Sequence, residues 1–124
     1  MTKTVYQDSV IEDFVSKIKF DAQGLVPAVA QQWDTGKVLM LAWMDKDAVG
    51  ATMRTGDVTY WSRARRELWR KGATSGHVQE LRGIVLDCDG DALLLQVDQT
   101  GPACHTGAAS CFFTVTAGMP GEVS

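Results

Sequence analysis

Three aspartates in five residues, Asp87-Cys88-Asp89-Gly90-Asp91, are the densest chemistry in this chain. Carboxylates this close repel one another unless solvent or a cation relieves them. One reading is a polar turn, since Asp and Gly are ordinary turn residues. The other is a hard cation such as Mg²⁺, which needs only a few protein oxygens and keeps waters for a substrate. An EF-hand is excluded: its sixth-position glycine would be Ala92, and the strand-like Leu93-Leu94-Leu95 follows. Cys88 sits inside the acidic cluster, and the only other cysteines are Cys104 and Cys111, in Gly101-Pro102-Ala103-Cys104-His105-Thr106-Gly107 and Ala108-Ala109-Ser110-Cys111. Buried core thiols are one reading of these. Three thiols also cannot close a Cys₄ site within one chain, whereas three protein ligands plus water is the pattern of a catalytic zinc. His105, next to Cys104, suits either a fourth ligand or an acid or base beside the metal. The H-x-E and P-C-x-x-C pieces of the zinc nucleobase deaminases are absent.

A third group of residues is cationic. Trp61-Ser62-Arg63-Ala64-Arg65-Arg66-Glu67-Leu68-Trp69-Arg70-Lys71 runs into Gly72-Ala73-Thr74-Ser75-Gly76 and is followed by His77. A solvated face is the bland reading. Arginine forks match phosphate geometry, however, and a Gly-rich loop bearing hydroxyls adds further donors, so phosphate recognition is the functional one. Arginines interleaved with aromatics would also suit RNA.

These residues need elements to hold them. Ser9 and Glu12 form a capping-box pattern ahead of Val10, Ile11, Phe14, Val15 and Ile18, which predicts an amphipathic helix over 9–19 within an N-terminal helical segment, 1–23. Leu25 to Trp33 and Lys37 to Met44, split by Asp34-Thr35-Gly36, read as a hairpin, and Pro27 suggests that its first strand lies at a sheet edge. Asp45 is placed to cap a helix across 46–55 that stops at Gly56, before a strand from Val58 to Ser62. Val78 to Asp87 and Asp91 to Val97 flank a second hairpin turn, Ser110 to Thr116 reads as a last strand, and 117–124 as a flexible tail. An ideal two-residue turn at Asp89-Gly90 would put Cys88 and Asp91 on one face and Asp87 on the other, so convergence of the carboxylates demands a wider or irregular loop. The fold class is α+β, a mainly antiparallel sheet with two helices.

With 124 residues, 45% of them hydrophobic, the chain suits one domain over 1–124 that needs neither disulfides nor a metal merely to fold. A net charge of −3 opposes general binding to nucleic acid or to an anionic membrane. No export signal and no apolar membrane span are present, so a cytoplasmic location is expected.

Taken together, Leu39-Met40-Leu41-Ala42-Trp43-Met44, Tyr60-Trp61-Ser62-Arg63, Leu68-Trp69-Arg70-Lys71-Gly72-Ala73-Thr74-Ser75-Gly76, Asp87-Cys88-Asp89-Gly90-Asp91 and Gly101-Pro102-Ala103-Cys104-His105-Thr106-Gly107 resemble the phosphoribosyl-AMP cyclohydrolase family of histidine biosynthesis. The resemblance runs over about residues 24 to 115, with the motifs in family order. It implies Zn²⁺ at Cys88, Cys104 and Cys111 and Mg²⁺ at Asp87, Asp89 and Asp91, one of each per subunit. An intertwined homodimer whose zinc sites draw ligands from both chains is also implied. Some relatives carry a fused phosphoribosyl-ATP pyrophosphatase domain, and this chain reads as monofunctional.

The implied reaction adds water at C6 of 1-(5-phosphoribosyl)-AMP and breaks its N1–C6 bond. On that reading His105 is the first candidate for the catalytic base and His77 the second. Trp61, Ser62, Arg63, Arg65, Arg66, Arg70, Lys71, Thr74 and Ser75 are the candidates for holding the nucleotide substrate. Two other functions compete: a zinc-dependent nucleotide deaminase, and a non-enzymatic nucleotide- or RNA-binding module carrying a structural metal.

Overall fold

The structure, a computed structural model, describes residues 3–118. Two helices and six strands follow in the order α1 (Asp8–Ser16), β1 (Val26–Gln32), β2 (Val38–Met44), α2 (Lys46–Thr55), β3 (Thr59–Ser62), β4 (Glu67–Arg70), β5 (Gln79–Leu86) and β6 (Leu93–Gln99). The strands form one sheet in the order β4-β3-β2-β1-β6-β5, antiparallel throughout except for the parallel pair β1 and β6. Val58 N–H donates to the Gln79 carbonyl at 3.0 Å and Leu81 N–H to that of Gly56 at 2.8 Å. These bonds tie the start of β5 to the lead-in of β3, so the sheet curls back on itself. The α+β reading is thereby met as a single small domain with two helices.

α2 matches the capping logic. The Asp45 carboxylate accepts from Ala48 N–H at 2.7 Å, and Gly56 ends the helix in the left-handed region at φ 76°. α1 does not use its capping box: Gln7 occupies the cap without a side-chain bond, Ser9 lies inside the first turn, and the helix stops at Ser16 instead of 19. Its exit is captured elsewhere, as Lys19 N–H donates to the Gly90 carbonyl at 2.7 Å. Among the described residues no helix is long and apolar enough to cross a membrane.

Two other expectations need correcting, and one stretch left without an element gains one. β1 is interior despite Pro27, because its pairing with β6 begins only at Ala28, so the missing proline N–H falls where that side of the strand has no partner. The cationic stretch is partly a strand: β4 pairs with β3 through Tyr60 opposite Trp69 and Trp61 opposite Leu68. Residues 110–116 form no strand, although Cys111 N–H donates to the Leu39 carbonyl of β2 at 2.7 Å, in the part of β2 that is not paired with β3. Of the expected tail, Ala117 and Gly118 form an exposed turn and the remainder lies outside the described residues.

Val26, Met44, Val49, Met53, Tyr60, Leu81, Leu95 and Val97 fill the core with almost no exposed surface. The opposite face of the sheet carries an apolar row in direct register, Leu41–Val29–Leu94–Val85, across β2, β1, β6 and β5. Leu41 and Val85 at its ends are 47% and 51% exposed.

Candidate active site

Between β5 and β6 the chain makes a six-residue loop over 87–92, the wider of the two turn geometries that convergence of the aspartates allows. Asp87 N–H donates to the Ala92 carbonyl at 3.0 Å, Gly90 N–H to that of Asp87 at 3.1 Å, and Asp91 N–H to the Asp87 carboxylate at 2.9 Å. Gly90 is buried at φ 76°, and a Cβ there would lie 3.1 Å from the Lys17 carbonyl. Only glycine fits between the loop and the exit of α1. The result brings carboxylate oxygens of Asp87, Asp89 and Asp91 within 4.8 Å of one another at the surface.

Desolvation pulls the Asp87 carboxyl upward, but hydrogen bonds from Asp91, Ala92 and Gly90 outweigh it and hold this acid below its ordinary range. Asp91 moves the other way, raised by its hydrogen bond to the Asp87 side chain, by that neighbour's charge, by desolvation and by Asp89. A divalent cation relieves the same repulsion from Asp87 and Asp89 that raises Asp91, so this hard oxygen set fits Mg²⁺.

The thiols divide. Beyond β6 the chain closes a tight loop, with Cys104 N–H donating to the Ala108 carbonyl at 3.1 Å and Gly107 N–H to that of Cys104 at 3.0 Å. Its Thr106 hydroxyl donates to Cys104 Sγ at 3.1 Å. Hydrogen bonds from the Thr106 hydroxyl and amide, then one from Cys111 and the Lys71 charge, hold the Cys104 thiol below its ordinary value. Cys111 is pushed up by desolvation of its sulfur and by the neighbouring Cys104 thiol and its charge, with Lys71 opposing. Beneath them the Tyr60 phenol is raised far above its usual range by burial and by Cys111, so it stays neutral and donates to Gln79 Oε1 at 2.7 Å. Two adjacent thiols, one of them drawn below its ordinary pKa by the donors around it, are half of a soft zinc shell.

Cys88 does not join them. It sits in the exposed loop before β6, whereas Cys104 lies past the other end of that strand, and seven strand residues span roughly 20 Å. Among the described residues the aspartate trio is the only tight group of three or more candidate ligands.

Around Cys104 lies a cleft of about 280 Å³ whose walls include Lys71, Ser75, His77 and His105. Lys71 and Ser75 also line an adjoining cleft of about 450 Å³ together with Arg65, Arg70 and Thr74. His77 is fixed by its neighbours: its N–H donates to Ser75 Oγ at 3.2 Å, its carbonyl accepts from Gln99 at 3.1 Å, and its ring packs on Gly101, where a Cβ would come within 2.8 Å.

The remaining sequence-predicted residues point elsewhere. Trp61, Arg63 and Arg66 line a separate cleft of about 360 Å³ with Asp45, Arg63 lies over the Trp43 ring at 4.7 Å, and the Ser62 hydroxyl accepts from Arg65 N–H at 3.1 Å within the β3–β4 turn. A larger groove, about 610 Å³ between α1 and α2, contains none of the predicted site residues. Thr106, Tyr60 and Gln79 were not legible as site residues; a hydroxyl two positions after a loop cysteine is the only signal that pointed to any of them.

A family model described as phosphoribosyl-AMP cyclohydrolase matches residues 40–113. Relatives carrying that name come from several bacteria. The Micrococcus luteus protein is 62% identical over 101 residues, covering 82% of this chain and 80% of its own. That of Rhodospirillum centenum is 60% identical over 105 residues, covering 85% and 79%, and that of Bifidobacterium longum 57% over 114 residues, covering 90% and 87%.

Proposed function

We infer that the chain, which belongs to the phosphoribosyl-AMP cyclohydrolase family, is a cytoplasmic hydrolase that opens the adenine ring of 1-(5-phosphoribosyl)-AMP in histidine biosynthesis. The observation that carries this reading is Cys104, with Cys111 beside it, in the wall of a cleft that shares Lys71 and Ser75 with an adjoining basic cleft. Water's oxygen bonds to C6, the N1–C6 bond breaks, and the two protons end on N1 and on the exocyclic nitrogen, so no ammonia leaves. Zinc on the thiols, when bound, supplies a Lewis acid that acidifies water at neutral pH, and magnesium on the aspartates supplies counter-charge for a phosphate.

The protein's own residues do the rest. Arg65, Arg70, Thr74 and Ser75 grip the phosphates with forked and hydroxyl donors and so orient C6. His105, beside Cys104, takes the proton from the attacking water; His77, held across the same cleft, is the second group able to do so.

The distance from Cys88 to the thiol pair supports a site completed in a homodimer, where Cys88 of the partner subunit meets Cys104 and Cys111. Because Cys88 lies between Asp87 and Asp89, the loop that delivers the third thiol delivers the carboxylates with it. One zinc and one magnesium per subunit follow. We assign the second copy to the outer sheet face: Val85, at the end of its apolar row, is two residues from Asp87, so covering that row carries the acidic loop into the interface.

The direct test supplies phosphoribosyl-AMP, Zn²⁺ and Mg²⁺ to the purified protein. Formation of the ring-opened aminoimidazole carboxamide without ammonia is expected. Ammonia release with an intact purine ring would establish a deaminase instead, and no turnover with metals bound would remove the assignment.

A further inference from the structure

We propose that Lys71 is a positioning residue for the thiol pair, clamping the Cys104 loop and offsetting its negative charge, instead of a substrate-phosphate ligand like its basic neighbours. This rests on the zinc reading above. Lys71 is the first residue past β4, and its N–H donates to the Val58 carbonyl at 2.9 Å, which fixes where the side chain starts. It is half-buried, and its Nζ donates to the Ala103 carbonyl at 2.6 Å, on the peptide that leads into Cys104. The ammonium lies 5.8 Å from the centroid of the Trp69 ring, a second constraint on its direction. Arg65 and Arg70, by contrast, are exposed.

The charge arithmetic gives this position a purpose. Three thiolates around one Zn²⁺ leave a net charge of about −1, and one ammonium cancels it. A lysine committed to a backbone carbonyl has less capacity for a phosphate than the exposed arginines of the adjoining cleft. Lysine also suits the role as a compact point charge, whereas phosphate recognition favours the planar guanidinium fork.

The test compares full-length wild type with Lys71→Met and Lys71→Arg, reading zinc affinity by competition with a chromophoric chelator and, at saturating zinc, KM and kcat for phosphoribosyl-AMP. Lys71→Met is expected to weaken zinc binding by about 10–100-fold, the usual cost of losing an outer-sphere partner. Lys71→Arg should recover part of that loss, with KM at saturating zinc unchanged in both variants. Wild-type zinc affinity in Lys71→Met together with a raised KM would overturn the proposal and return Lys71 to the phosphate set. If Lys71→Met does not fold, Lys71→Gln carries the same measurement. Wild type that binds no zinc, or holds it equally well after Cys104→Ser, would defeat the underlying zinc reading, an outcome distinct from failure at Lys71 alone.

Discussion

Cys104 and Cys111 are the same side chain in adjacent places with opposite tendencies, and the difference comes from what donates to each sulfur. Thr106 gives Cys104 a hydroxyl and an amide donor, which favour the thiolate, while Cys111 bears desolvation and its neighbour's charge. In zinc-free protein, peptide-resolved alkylation should therefore give Cys104 a lower pH midpoint than Cys111. Thr106→Val removes one donor and should move the Cys104 midpoint upward toward that of Cys111; coincident midpoints in wild type would contradict the assignment. At this scale the sequence was legible where spacing was unusual and opaque where it was ordinary. Three lone cysteines and three clustered aspartates stood out, whereas Thr106 was marked only by its hydroxyl two positions after a loop cysteine, a weak signal among the nearby small and polar residues.

The acidic loop is shaped by a contact between elements that are far apart in the chain. Carboxylate convergence depends on six loop residues and on Gly90 lying against the exit of α1. Gly90→Ala would put a Cβ 3.1 Å from the Lys17 carbonyl at a backbone φ of 76°. The expected cost is about 1–2 kcal/mol of stability, together with a weaker magnesium dependence of activity while zinc content is kept. Thermal unfolding and a magnesium titration check both, and wild-type behaviour of Gly90→Ala in each would show that the contact does not matter.

Elements were readable where local signals agreed, as at α2, whose cap and glycine stop both formed. They failed where a neighbour decided. Pro27 signalled an edge that pairing with β6 overrode, the four-residue β4 was masked by the charges around it, and residues 110–116 had strand-like composition but only a single backbone bond to β2 at Cys111. None of these depends on propensity alone.

For the whole molecule, the curled sheet places the acidic loop at one end of β6 and the thiol pair beyond the other, and leaves an apolar row on the outer face. No local pattern in the sequence encodes that separation, although the position of Cys88 at a turn and of the other two thiols past the next strand already hinted at it. If the row is the dimer surface, Leu41→Glu should yield a monomer by sedimentation that has lost most of its zinc while keeping its fold by circular dichroism. A zinc-loaded dimer would exclude this face.

The most direct test of the proposed shared site mixes two variants expected to be inactive, Cys88→Ser and Cys111→Ser, under conditions of subunit exchange. Each heterodimer then holds one site carrying both substitutions and one carrying neither. Recovery of up to about half the activity of a wild-type dimer per heterodimer is the predicted result, since metal binding and association are linked. No recovery despite demonstrated exchange would mean that Cys88 and Cys111 of each site belong to one chain, which contradicts a zinc centre completed between subunits.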